Sequence, residues 1–225
     1  MTKKPRLSNP LALAVLVLLL ERPMHPYEMA ATLKERHKEA SIKLRYGSLY
    51  TVIELLLREG YIAAKETSRE GRRPERTVYA LTAVGEVEMR DWLSDLLGNP
   101  AKEYPRFEAA LSLMPALTPE RATELLESRV VRLDREVERV RAALAHAATG
   151  VPRLFLIEAE FYIAGLQAER AFVDDLARQI KDGSLDGLTF WRDFHAARAA
   201  GTDLPPLERK DAAAAGDADP NSTRH

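Results

Sequence analysis

Arg45-Tyr-Gly-Ser-Leu-Tyr-Thr-Val-Ile-Glu-Leu-Leu-Leu-Arg-Glu-Gly60 reads as one helix with two faces. Leu49, Val52, Ile53, Leu56 and Leu57 recur three or four apart, which gathers them into one apolar stripe. Ser48, Tyr50, Thr51 and Arg58 fall largely outside it. Gly60 tolerates the left-handed conformation that ends a helix. The outward side thus offers hydroxyls, an aromatic edge and a guanidinium, groups suited to phosphate and base edges. Taken alone, the same stretch also fits an ordinary amphipathic helix of a small core, because period 3.6 is common to all surface helices. Its neighbours decide between the two.

Upstream, Pro10 follows Ser8-Asn9, either of which can cap a helix over residues 10–21 that is apolar nearly all round and so belongs at a domain centre. Lys3, Lys4 and Arg6 ahead of the apolar run 11–20 also resemble a signal peptide. The run is too short to span a bilayer, however, and Glu-Arg-Pro follows it, not a small-residue cleavage site. Arg22-Pro-Met24 breaks the helix, and Pro26 starts a second one with Glu28 near its positive end. Residues 40–44 form a short connection. Two helices joined this way, the second amphipathic with a polar outer face, make a helix-turn-helix.

Downstream, residues 61–67 and 77–81 have strand character, with Ile62, Thr67, Thr77, Val78 and Tyr79. Gly71 and Pro74 turn the chain between them. The resulting hairpin carries Arg69, Arg72, Arg73 and Arg76 around its tip. Guanidiniums so crowded repel one another until an anion approaches, and phosphate is the natural partner. A solvated loop explains a lone basic tip equally well, but this one directly follows a candidate recognition helix. Thr82 caps the next helix, which runs to about residue 97 before Gly98-Asn-Pro100.

The second half is helical. Thr118-Pro119 begins a long helix on which Leu126, Val130, Leu133, Val137, Val140, Leu144 and Ala147 recur at intervals of 4, 3, 4, 3, 4 and 3, a heptad seam. After Thr149-Gly-Val-Pro152 a second long helix carries Leu154, Ile157, Phe161, Ala164, Ala168 and Phe172. The short break makes the pair an antiparallel hairpin. An exposed seam calls for a second copy of the chain, with Leu126, Val130, Leu133, Val137, Val140, Leu144, Phe161, Gly165 and Phe172 at a homodimer interface. The alternative is that both stripes are satisfied within one chain. Leu188 to Phe194 is an aromatic segment that packs on the bundle, and Pro, Ala, Asp and Gly from residue 201 onward read as a disordered tail.

Composition agrees. The 225 residues hold 46% hydrophobic residues and no cysteine, which excludes disulfides, thiolate metal sites and a cysteine nucleophile. Residues 1–80 contain 15 basic and 9 acidic side chains, against 18 and 25 in the remainder. A basic N-terminal third on an acidic body suits binding of a polyanion by one part only. The five histidines are scattered, with no HExxH, phosphate loop or serine elbow, so neither an enzyme nor a metal or other cofactor is expected. His25 and Glu28, three apart, make at most a weak metal pair.

In order and spacing these residues resemble the PadR family of winged-helix transcriptional regulators. The resemblance rests on the buried first helix, Tyr27-Glu28, Gly47-Ser-Leu-Tyr50, Leu56, Glu59-Gly-Tyr-Ile62, Gly71-Arg72, Arg76, Tyr79-Ala-Leu-Thr82 and Gly85. The C-terminal half, with Phe107 to Leu113 and Leu154 to Tyr162, is similar to the subgroup with the larger helical dimerisation domain. The chain departs from the family at Pro26, where glycine is common, and at Thr77-Val78, where a basic pair is common.

The resemblance implies a mainly α protein organised as a winged helix-turn-helix with a two-stranded β wing at 1–98, a linker and short helix at 99–117, an antiparallel long-helix dimerisation domain at 118–200 and a tail at 201–225. It implies a cytoplasmic homodimeric repressor on a near-palindromic double-stranded DNA operator, released by a small aromatic or amphipathic effector, with no membrane partner. Lys43, Arg45, Tyr46, Ser48, Tyr50, Thr51, Arg72, Arg73 and Arg76 are then the DNA-facing set. Trp92, Tyr104, Phe107, Phe155, Phe161 and Tyr162 are effector candidates, although plain core packing also accounts for such aromatics. A helical protein-interaction module without sequence-specific DNA binding is the competing function.

Overall fold

A computed structural model describes residues 9–42, 45–68 and 76–203, the side chains of residues 40, 46, 66–68 and 76 excepted. The chain divides into two units, Met1–Glu103 and Tyr104–His225.

The first unit is built around α1 (Pro10–Glu21). The Asn9 side chain accepts from the Leu11 amide at 3.0 Å and caps it. Eight of its twelve residues are buried, so the apolar run is the centre of this unit's core. The second helix, α2 (Pro26–Glu35), is capped by His25 Nδ1, which accepts from the Tyr27 amide at 3.1 Å. Arg36 grips Glu21 through two bonds of 2.5 and 2.8 Å and ties the end of α2 to the end of α1. After a 3-10 turn at Lys38–Ala40 comes α3 (Tyr46–Arg58). It seats Leu49, Val52, Ile53 and Leu56 in the same core, each burial contributing about 1.5–3 kcal/mol. Gly60 ends it at φ +74°.

The hairpin pairs β1 (Ile62–Ser68) with β2 (Arg76–Leu81) from Ile62↔Leu81 to Ser68↔Arg76, with a bulge between Ala64 and Glu66. Its tip, with Arg69, Arg72 and Arg73, lies outside the described residues. Met24 adds a third rung on the other side of β2: its amide donates to Tyr79 O and its carbonyl accepts from the Tyr79 amide, both at 3.0 Å. The break after α1 therefore helps to hold the hairpin, which the single apolar residue between Pro23 and His25 does not announce. Thr82 caps α4 (Ala83–Gly98), accepting from the Gly85 amide at 3.0 Å.

The second unit begins with α5 (Arg106–Ser112) and a 3-10 turn at Met114–Ala116. Its body is α6 (Pro119–Ala147) against α7 (Ile157–Asp182), an antiparallel hairpin closed by α8 (Leu188–Ala200). Here the structure corrects the expectation of an exposed seam. Leu126, Val130, Leu133, Val137 and Val140 are buried within the chain, and Leu144 is half-buried. Leu126 and Val130 share a cluster with Val173, Ala177 and Ile180; Val137 and Val140 share one with Ile163.

The covering stripe on α7 is Ile163, Leu166, Arg170, Val173, Ala177 and Ile180, itself at heptad spacing and interrupted in the sequence by the arginine. Arg170 reaches Asp134 of α6 at 3.1 Å. The other α7 stripe faces outward, with Phe161 80% and Phe172 54% exposed and Gly165 beside open space. One stripe thus satisfies α6 and leaves the second unused, which a pattern with both stripes present does not decide.

Among the described residues no helix is long and apolar enough to cross a membrane.

Candidate nucleic-acid interface

With Leu49, Val52, Ile53 and Leu56 fixed inward, helical geometry turns Arg45, Gly47, Tyr50, Thr51, Glu54 and Arg58 outward, all exposed. Ser48 is half-buried at the edge between the two faces. Arg45 has an extended backbone ahead of the helix and supplies no side-chain cap. The first-turn amides of α3 and the Arg45 guanidinium are therefore side by side on a surface, an arrangement that favours a phosphate.

Thr51 has a constraint of its own. Its Oγ1 donates to Gly47 O at 3.1 Å, so its proton is committed within the helix. What it presents outward is a methyl group and lone pairs, which can meet a thymine methyl or accept from a base amine. Tyr50 is 51% exposed and keeps its phenol in solvent.

A shallow groove runs along the N-terminal half of α3, lined by Arg45, Gly47, Ser48, Thr51 and Leu55 on one side and by Asn9 on the other. Asn9 is a residue that reading the sequence missed. Its only sequence signal is that of a helix cap, and its place beside α3 follows from how α1 packs on α3.

In the wing, Lys65 is exposed at the bulge, where the extra residue breaks the strand alternation and re-aims side chains. Arg76 is paired through its backbone with Ser68, and its side chain is outside the described set. Lys43, Arg72 and Arg73 are outside the described residues altogether, as is the side chain of Tyr46. Three other arginines of this unit, Arg22, Arg36 and Arg90, are paired with carboxylates. Arg22 donates to Glu28 at 2.6 Å, and Arg90 to Glu86 at 2.5 Å. The bonds from Arg22 and Arg36 hold the Glu28 and Glu21 carboxyls below their usual range. Glu28 is thus paired with arginine and His25 is a helix cap, and among the described residues no cluster could hold a metal ion.

Within the second unit the aromatic candidates are not gathered into one place. Trp92 is 4% exposed in the first unit's core. In the second unit Phe107 is half-buried, with the Arg129 guanidinium 3.7 Å from its ring centroid, and Arg129 donates to Glu169 at 2.6 Å. Tyr104 is 86% exposed. Phe155 is exposed near the hairpin tip, and Phe161 lies on the outer face of α7. The Tyr162 hydroxyl donates to Glu136 at 3.4 Å, and burial with that carboxylate nearby raises its pKa. Along α6, Arg129 at the level of Phe107 and the helix end at Ala147 are 18 residues apart, about 27 Å of helix.

Comparison with known proteins now adds to this geometry. Residues 15–91 match the model of the Transcriptional regulator PadR-like family. No curated protein matches the chain. Among solved structures, PadR of Bacillus subtilis in complex with operator DNA aligns with a TM-score of 0.54 at 20% identity, over 73% of this chain and 99% of that one. The same protein in complex with p-coumaric acid gives 0.52 at 18%, over 73% and 98%. The PadR-like transcriptional regulator BC1756 from Bacillus cereus gives 0.52 at 14%, over 77% and 99%. At these identities the structural likeness is one of fold.

Proposed function

We propose that this chain, whose N-terminal unit belongs to the PadR-like family of transcriptional regulators, is a DNA-binding repressor that works as a homodimer on a near-palindromic operator. The observation that carries the reading is the outward face of α3. Four buried residues anchor that helix; Arg45 and Thr51 stand exposed along a groove with Ser48 at its edge, and Tyr50 is exposed on the same helix. In this reading α3 enters a major groove, Arg45 and the wing arginines hold phosphates, and Thr51 meets a base edge. Two copies then address half-sites about 34 Å apart or a multiple of that.

The outer stripe of α7 is where the second copy docks. Phe161 and Phe172 supply apolar area, and Gly165 between Ala164 and Ala168 lets another helix come close. This revises the interface to Phe161, Gly165 and Phe172 and removes the α6 seam from it.

A small aromatic or amphipathic effector completes the reading; the Bacillus subtilis protein is seen with p-coumaric acid. It would act by preferring dimers whose two α3 helices are wrongly spaced, lowering operator affinity by its differential affinity for that state.

The test is selection of genomic fragments by the purified chain, followed by titration of the enriched and of scrambled duplexes at two salt concentrations. Enrichment of a two-fold symmetric sequence is expected. Failure to bind any duplex at low salt would sink the proposal and favour a protein-interaction module.

A further inference from the structure

The glycines of this chain divide by what the fold needs from them. Gly60, Gly183, Gly187 and Gly201 have positive φ, where side chains are strained. Gly85 lies where a Cβ would strike the Tyr61 carbonyl. Gly47, like Gly98, Gly150 and Gly165, has neither reason, but of these four only Gly47 lies on the outward face of α3. It is in the first turn of α3, it is absent from the positive-φ set, and among the described residues a Cβ built on it meets nothing within 4 Å. Glycine is the least favourable residue in a helix after proline. Among the described residues neither a backbone angle nor a close contact requires a glycine here.

What Gly47 does have is a place in the groove, flanked by Arg45, Ser48 and Thr51 and faced by Asn9. Its carbonyl is also the acceptor that fixes the Thr51 hydroxyl. A side chain at Gly47 would project into open space on the face proposed to meet DNA. We infer that Gly47 is an affinity- and specificity-determining residue: its missing side chain lets a deoxyribose-phosphate strand of the operator lie against the α3 backbone, between the Arg45 guanidinium and the Ser48 hydroxyl. Any Cβ lifts that strand away from the two donors and withdraws Thr51 from the base edge. The inference rests on the DNA-binding reading above and adds a steric condition to it.

The test compares wild type with Gly47→Ala and Gly47→Leu, both substitutions to good helix formers. The probe is a fluorescent duplex bearing the sequence that the wild-type chain enriches from a randomised pool, and thermal unfolding is recorded in parallel. Both variants should unfold at or above the wild-type temperature. Duplex affinity should fall about tenfold for Ala and about a hundredfold for Leu, the range expected of overpacking a close contact. Wild-type affinity in both variants overturns the inference and leaves the DNA reading standing. A lowered unfolding temperature in both also overturns it, because the glycine then serves the fold. If the wild-type chain enriches no sequence, the DNA reading fails and this inference falls with it.

Discussion

A Cβ on Gly85 would come within 2.8 Å of the Tyr61 carbonyl carbon and closer still to its oxygen. The same carbonyl accepts from the Thr82 amide at 3.1 Å, and the Thr82 hydroxyl lies 2.7 Å from Gly60 O and 3.0 Å from Tyr61 O. The end of α3, the start of the wing and the start of α4 thus meet at one peptide group. That junction holds the C-terminal end of α3 against the hairpin and the start of α4.

Gly85→Ala should consequently destabilise the first unit by about 3 kcal/mol or more, because the obstacle is backbone and cannot swing aside. Thr82→Ala, which removes a cap and a hydroxyl bond, should cost about 1–2 kcal/mol. Urea unfolding of the full chain followed through Trp92, a core residue of this unit, measures both.

The two stripes of α7 should respond oppositely. Ile180→Ala, on the covered stripe at 2% exposure, should cost about 2–5 kcal/mol of stability. Phe161→Glu, on the outer stripe, should leave helix content intact and shift sedimentation from dimer to monomer. A dimer that survives Phe161→Glu and Phe172→Glu together would place the interface elsewhere.

Arg45→Ala should weaken binding to every duplex alike and reduce the slope of log affinity against log salt by about 0.9, one released counterion. An unchanged slope means that Arg45 touches no phosphate. Thr51→Val retains the methyl and removes the oxygen. Operator preference should persist if the methyl is what reads the base, and change if the oxygen accepts from it.

Acid should loosen the α1–α2 tie. The bonds from Arg36 depress the Glu21 pKa below its usual 4.5. A depressed folded-state pKa gives stability that is fully present above the unfolded value and is lost as pH falls through the folded one. Glu21→Gln should therefore be less stable than wild type at pH 7 by up to about 1 kcal/mol for so exposed a pair. The difference should close once the pH is well below 4.5. Unfolding curves at both extremes check this, and a constant difference would rule out the ion pair as its source.

Much of the site could be read from the chain itself. The spacing of Leu49, Val52, Ile53, Leu56 and Leu57 predicts a buried face; the structure buries the first four and leaves Leu57 half-buried against the same core. Asn9, Thr82 and Thr118 have the chemistry of caps and act as caps. Asn9 as a wall of the groove was not legible, because nothing local to α1 encodes what lies beside its first turn. Nor was the Met24 rung on Tyr79, since a single bridging residue has no periodicity to detect.

The sequence by itself determined where the helices start and stop, which face of α3 is apolar, and that α6 carries a seam that must be covered. Local chemistry settles these, since caps, turn residues and side-chain spacing act within a few residues. The tertiary structure decided what does the covering. A heptad states that a face is buried, not which chain buries it. Here the answer lies on α7, in a stripe whose central member is Arg170, so that a charge in the pattern hides the partner until Asp134 is seen across from it. The aromatic stripe of α7, with Phe161 and Phe172, is left in solvent.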